Sequence, residues 1–184
     1  MAITKVGVLG CGLMGSGIAQ VAAQSGHATI VREVNQGLLD KGLASIDKFL
    51  AKSVEKGKTT PEQQAAVKAN LKGTLRLEDL AGCDLVIEAI VEDLAVKRET
   101  FGALDAICGP ETIFASNTSS LSITEMMRAT KRPGRFIGLH WFNPVPVTKT
   151  LVSQTNKFRI SCVWQNSFTT ESLGSFPIRH VPIA

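Results

Sequence analysis

Apolar positions along this chain fall into short continuous runs separated by stretches of helical spacing. Lys5-Val6-Gly7-Val8-Leu9 and Ala28 to Val31 have strand length and the composition of strands buried on both faces. Between them Ile18, Val21 and Ala22 repeat at helical spacing, and Ser25-Gly26-His27 closes that helix. Asn35 predicts the N-cap of a long helix carrying Leu38, Leu39, Leu43, Ile46, Phe49 and Leu50, which Gly57 ends. Thr60-Pro61-Glu62 opens a second helix, and Asn70 to Gly73 ends it. This pair, about 36–72, is longer than a crossover needs and predicts an arm standing off the sheet. Further strands are expected at Leu75-Arg76-Leu77, Asp84 to Glu88, Thr112 to Ala115 and Arg135 to Leu139, with a helix over Glu92 to Ile107. Strands alternating with helices imply an α/β fold, a doubly wound and mostly parallel sheet with a protruding helical arm.

The turn after the first strand narrows this further. Gly10-Cys11-Gly12-Leu13-Met14-Gly15 follows a strand and opens a helix, and Glu33 stands at the tip of the second strand. That order is the dinucleotide-binding fingerprint of the Rossmann fold. Gly10 allows the tight turn, Gly12 lets backbone approach a pyrophosphate, and Gly15 lets the helix pack on the sheet. Leu13 and Met14 lie in the same turn, at the helix N-terminus that would face the phosphates. Glu33 can accept from a ribose diol and repels a 2′-phosphate, which favours NAD over NADP, although the adjacent Arg32 weakens that argument. The competing reading, a glycine turn that binds nothing, does not require the whole order.

Composition excludes several classes. The 184 residues are 44% hydrophobic and 20% charged, which suits a globular protein of one well-buried domain, or one domain and an appendage. A net charge of +4 suits a phosphate-bearing ligand, and no basic stretch interleaves with aromatics, so no nucleic-acid partner is expected. Cys11, Cys83, Cys108 and Cys162 form no C-x-x-C and no cluster with histidine, so reduced thiols and no metal are expected. No uncharged apolar stretch reaches the length of a membrane span, and no leader precedes the first strand, so the cytoplasm of a bacterium is the expected compartment.

Ligands of open parallel sheets bind beyond the carboxyl ends of the strands. The glycine turn, Glu88 with Glu92, the run Ser116-Asn117-Thr118-Ser119-Ser120, and His140 with Asn143 are therefore expected on one rim. His140, followed by the proline-braced Trp141 to Pro146, is the candidate acid/base, since an imidazole with a pKa near 6.5 can take an alcohol's proton near neutrality. Position alone leaves it equally a histidine satisfied by backbone at a strand end. The 116–120 run caps a helix with some of its hydroxyls, and the rest can hold a substrate oxygen or the nicotinamide. Lys48, Lys52 and Lys56 share a helix face that is either simply solvated or an anchor for distant phosphates. His27 and His180 read as structural.

Gly10 to Gln20, Glu88-Ala89-Ile90-Val91-Glu92, Ser116 to Leu121 and Gly138 to Pro146 together resemble the 3-hydroxyacyl-CoA dehydrogenase family, most of all its bacterial 3-hydroxybutyryl-CoA members. The motifs run from about residue 3 to Lys149. The resemblance implies NAD-dependent conversion of L-3-hydroxyacyl-CoA to 3-ketoacyl-CoA, in fatty-acid or butanoate metabolism. It implies His140 as catalytic base, with Ser119 and Asn143 at the substrate's reacting oxygen and the nicotinamide. It also places Glu33, Glu92, Lys97 and Asn117 at the cofactor and Lys56 near the CoA.

The chain departs from that pattern after Lys149. The family has a glutamate twelve residues past the histidine that orients the imidazole, and this chain has Val152 there. The resemblance implies an all-helical C-terminal domain that makes the family's homodimer; here it is expected to be missing, and residues 151–184 are expected to be an irregular, unmatched tail on a cofactor domain at 1–150. A truncated product with a replaced tail, as a shifted reading frame gives, is the expectation, and with it weak activity. Two alternatives stay open: a module that binds NAD without turnover, and an NAD-linked hydroxy-acid dehydrogenase that does not use CoA.

Overall fold

A computed structural model describes residues 2–148, 150–154 and 159–163. β1 (Lys5–Leu9) carries Val6, Val8 and Leu9 with no exposed surface, as a central strand covered on both faces requires. α1 (Leu13–Gln24) returns the chain to β2 (Ala28–Arg32), which pairs with β1 in parallel from Lys5↔Ala28 to Leu9↔Arg32. Next come α2 (Gln36–Glu55), α3 (Pro61–Ala69) and β3 (Leu71–Thr74), then β4 (Leu85–Glu88), α4 (Leu94–Ile107), β5 (Ile113–Ser116), α5 (Ile123–Met127) and β6 (Phe136–Trp141). The sheet order is β3-β2-β1-β4-β5-β6, all parallel, continued by antiparallel β7 (Thr150–Gln154) and β8 (Arg159–Val163). The strand order reverses between β1 and β4, which opens the crevice where such folds bind ligands.

Helix ends follow local chemistry. The Asn35 side chain accepts from Leu38 N at 2.9 Å, and Thr60 with Gln63 closes a reciprocal capping box ahead of Pro61. Gly57, at φ +65°, terminates α2 in the left-handed region.

Three expectations are corrected. The strand expected at Leu75–Leu77 lies earlier, at Leu71–Thr74, and Leu77–Leu80 is a 3-10 turn. Asn70, the C-cap of α3, accepts from Thr29 N at 2.7 Å, so the chain enters the sheet as soon as the helix ends. The helical pair does not stand off: Leu39, Ile46, Leu50 and Val67 share one core with Ile18, Ala19 and Ala22 of α1. Finally, residues 150–154 and 159–163 are strands where an irregular tail was expected; they form an antiparallel hairpin whose first strand pairs with β6. Residues 155–158 and 164–184 of that expected tail, with His180, lie outside the described residues.

Gly42 lets α2 seat on the glycine turn. A Cβ there would lie 2.2 Å from the Cys11 carbonyl oxygen and 2.2 Å from its sulfur, whereas at Gly37 the nearest atom is 3.6 Å away. Helix propensity alone favours alanine at both positions, by up to ~1 kcal/mol. Gly42→Ala should nonetheless destabilise the fold by about 1–3 kcal/mol through overpacking, while Gly37→Ala should be neutral or slightly stabilising; thermal unfolding of both variants distinguishes them.

Candidate functional site

The glycine turn is built from backbone contacts that no side chain would permit. Gly10 has φ +89°, and a Cβ on it would sit 2.5 Å from the Ala89 carbonyl oxygen. A Cβ on Gly15 would sit 1.9 Å from the Gly10 carbonyl oxygen. At Gly12 the opposite holds: nothing lies within 4 Å of an added Cβ, so the space above it is open. Gly12 is also the N-cap of α1, makes no side-chain cap, and is followed by no acidic residue in the first turn. The helix therefore presents N–H groups and a positive dipole end to open space over Gly12, which fits a pyrophosphate.

Glu33 is fixed beside that turn. Cys11 N donates to its Oε1 at 2.7 Å and Val34 N to its Oε2 at 2.9 Å. A carboxylate has about four acceptor sites, so capacity remains for a ribose diol. The Arg32 Nε donates to the Leu75 carbonyl at 3.4 Å. The Cys11 thiol is pushed up to about 12 by burial and then by the Glu33 charge, so it stays protonated and inert.

A second wall comes from β4, α4 and β5. Glu88 and Lys97 are buried, at 0% and 1% exposure, and Lys97 Nζ lies 2.5 Å from Glu88 Oε1 and 3.1 Å from Glu92 Oε2. Ser116 Oγ donates to Glu88 Oε2 at 2.6 Å, Ile90 N donates to Glu88 Oε1 at 2.8 Å, and the Thr118 hydroxyl donates to Glu92. Burial works to raise the Glu92 carboxyl, but the hydrogen bonds from Thr118 and Lys97 and the Lys97 charge hold it below its ordinary value. The polar run thus has assigned duties: Ser116 and Thr118 hold carboxylates, and Asn117 Oδ1 accepts from Trp141 N at 2.9 Å, tying β5 to the end of β6. Ser119 remains exposed.

These walls enclose a cavity of about 430 Å³ lined by Met14, Glu92, Lys97, Asn117, Ser119, His140 and Asn143, all singled out from the sequence. Ala89, Ile90, Trp141 and Phe142 also line it. Of these, Phe142 was not expected to matter; its ring lies 4.8 Å from the His140 ring at 55°, and only the aromatic placement two residues after the histidine hints at it. His140 is half-buried, and the β6–β7 register sets it directly opposite Val152, the position where the resemblance expects a carboxylate. Among the described residues no side chain hydrogen-bonds to its ring. Leu13 is 73% exposed beside the turn, and a small cavity next to it reaches Asn143. Lys56 is elsewhere: with Lys52, Lys58 and Asn70 it lines a separate cavity of about 890 Å³ between α1, α2 and α3, which Lys48 does not reach.

The sequence profile described as "3-hydroxyacyl-CoA dehydrogenase, NAD binding domain" matches residues 5–178. The chain belongs to this family. The match runs beyond Lys149, where the sequence motifs stop, so most of the segment read as unmatched is covered. A 3-hydroxybutyryl-CoA dehydrogenase of Clostridioides difficile is 48% identical over 145 residues, covering 79% of this chain and 52% of that protein. A probable 3-hydroxybutyryl-CoA dehydrogenase of Deinococcus radiodurans is 45% identical over 176 residues, 95% of this chain and 63% of the relative. The crystal structure of FadB2 from M. tuberculosis superimposes with a TM-score of 0.79 at 46% identity, over 81% of this chain and 53% of the other. The chain thus spans between half and two thirds of the length of these relatives. As in the rest of the family's NAD-binding domain, the cofactor is NAD, which agrees with the open space over Gly12 and the anchored Glu33.

Glu92 gives the site a pH signature. A carboxylate held below its ordinary pKa stabilises the fold above that range and loses the contribution as pH falls through the folded value. Thr118→Val, which removes one of its donors, should raise the Glu92 midpoint in a carboxyl NMR titration. The same variant should lose less stability than the parent between about pH 7 and about pH 3.

Proposed function

We propose that this protein oxidises short-chain L-3-hydroxyacyl-CoA thioesters, such as 3-hydroxybutyryl-CoA, to 3-ketoacyl-CoA with NAD. The observation that carries the reading is the single cavity that joins Met14 of the dinucleotide turn and the Glu92–Lys97 wall to Ser119, His140 and Asn143. Bound NAD supplies the acceptor for the hydride that leaves C3 of the substrate. His140 takes the hydroxyl proton from the same carbon unit, so proton and hydride leave as the C–O bond becomes a carbonyl. Ser119 and Asn143 hold that oxygen, which keeps the C–H bond aimed at the cofactor side of the cavity. Lys97 and Glu92 border the nicotinamide, Asn117 fixes the strand end that carries His140, and Glu33 holds the adenosine ribose. Lys56, with Lys52 and Lys58 beside it, receives the phosphates of CoA in the second cavity. Among the described residues no helix is long and apolar enough to cross a membrane. The similarity to bacterial 3-hydroxybutyryl-CoA dehydrogenases supports placing the protein in the cytoplasm.

One observation favours a second reading, a domain that holds NAD and turns over slowly. The residue opposite His140 is Val152, so the imidazole lacks a carboxylate across the strand pair to orient it. NADH fluorescence separates the readings. A rise on mixing with protein, followed by decay on adding acetoacetyl-CoA but not free acetoacetate, supports the dehydrogenase; a rise without decay supports the holding domain. His140→Gln should lower the decay rate by about 10²–10⁴-fold while leaving the initial rise intact. Val152→Glu should raise turnover by about tenfold or more, because an orienting partner commonly contributes that much.

A further inference from the structure

Counted together with the layer directly behind it, the cavity wall carries more negative than positive charge. Glu92 and Lys97 are its charged lining residues, and Glu88 lies directly behind Lys97 with no exposed surface. Two carboxylates therefore share one ammonium, at 2.5 and 3.1 Å, and the group has a net charge of −1. We propose that this Glu88–Lys97–Glu92 group sets the redox preference of the site, favouring NAD+ over NADH, and that the hidden Glu88 contributes as much to that preference as the visible Glu92. The inference rests on the reading of this cavity as the nicotinamide site.

The physical basis is a difference of one charge. The nicotinamide ring is positive when oxidised and neutral when reduced, while the pyrophosphate, the ribose and the turn that binds them are the same in both forms. A fixed negative charge on the ring's side of the pocket stabilises only the oxidised form. The group is well placed to act at a distance: Glu88 and Lys97 are out of water, where screening is weak. It is also rigid, since Ser116 at the end of β5, Thr118 in the loop after it and Ile90 in the loop after β4 donate to the carboxylates. A fastening role alone explains the arrangement poorly. A buried ion pair adds little over well-packed apolar residues of the same volume, and fastening needs one carboxylate, not an excess.

The experiment is a pair of dissociation constants, for NAD+ by calorimetry and for NADH by fluorescence, in the parent protein, Glu92→Gln and Glu88→Gln. Each substitution removes one negative charge and keeps the shape. The expected result is a rise of about tenfold in the ratio Kd(NAD+)/Kd(NADH) for either variant, equivalent to a shift of about 30 mV in the potential of the bound couple. Glu92, whose side chain is 44% exposed, tolerates the change even if Glu88→Gln unfolds, and retained NADH binding reports an intact fold. A purely structural group would weaken both cofactors in proportion; a ratio that stays within about twofold of the parent overturns the inference and leaves the nicotinamide site standing. If the parent binds neither cofactor, the reading of the cavity itself fails and the inference falls with it.

Discussion

The contact that organises this molecule is the compression of the Gly10–Gly15 turn between three neighbours. The Gly10 carbonyl fills the space of a Gly15 side chain, the Ala89 carbonyl fills that of Gly10, and Cys11 fills that of Gly42. Backbone packed on backbone at these distances leaves no freedom in how α1, the end of β4 and α2 meet. The open face over Gly12 is the direct consequence, because every other side of the turn is closed. Glu33 is drawn into the same arrangement by the Cys11 N–H, so its carboxylate and the N–H groups at the start of α1 are held as one unit.

Charge organises the opposite wall as sterics organise this one. Glu88 ends β4, Lys97 rises from the first turns of α4, and Ser116 ends β5, so one ion pair and one hydroxyl lock three consecutive elements at the rim. Asn117 extends the lock to β6 through Trp141 N, next to His140. The cavity is thereby bounded on one side by backbone that cannot move and on the other by buried charges that cannot separate. A site that holds a cofactor and a small reacting group in fixed relation needs that kind of rigidity.

Much of this was legible in the sequence where the determinants are local. The strand, glycine turn, helix, strand and acid of residues 5–33 specify themselves by order, and Asn35, Thr60 and Gly57 mark helix ends through contacts a few residues long. The seven cavity-lining residues that were singled out come together because parallel strands place their carboxyl ends on one rim. What escaped was decided by distant partners. β3 is placed by an Asn70–Thr29 hydrogen bond across 41 residues of chain, which outweighed the apolar alternation at Leu75 and Leu77. β7 and β8 answer the open edge of β6, a demand invisible in their own composition. Glu88 was expected on the rim beside Glu92, and its complete burial emerges only once Lys97 and Ser116 are seen to cover it.

The account stands on the nicotinamide lying between the charged wall and His140, and a crystal structure of the protein with NAD+ bound tests this most directly. The predicted result is the pyrophosphate over Gly12, the adenosine ribose diol on Glu33, and the nicotinamide ring in the cavity with Lys97 on one side and His140 within reach of a substrate hydroxyl on the other. A cofactor bound with its ring outside that cavity, or with its ribose away from Glu33, would contradict the account.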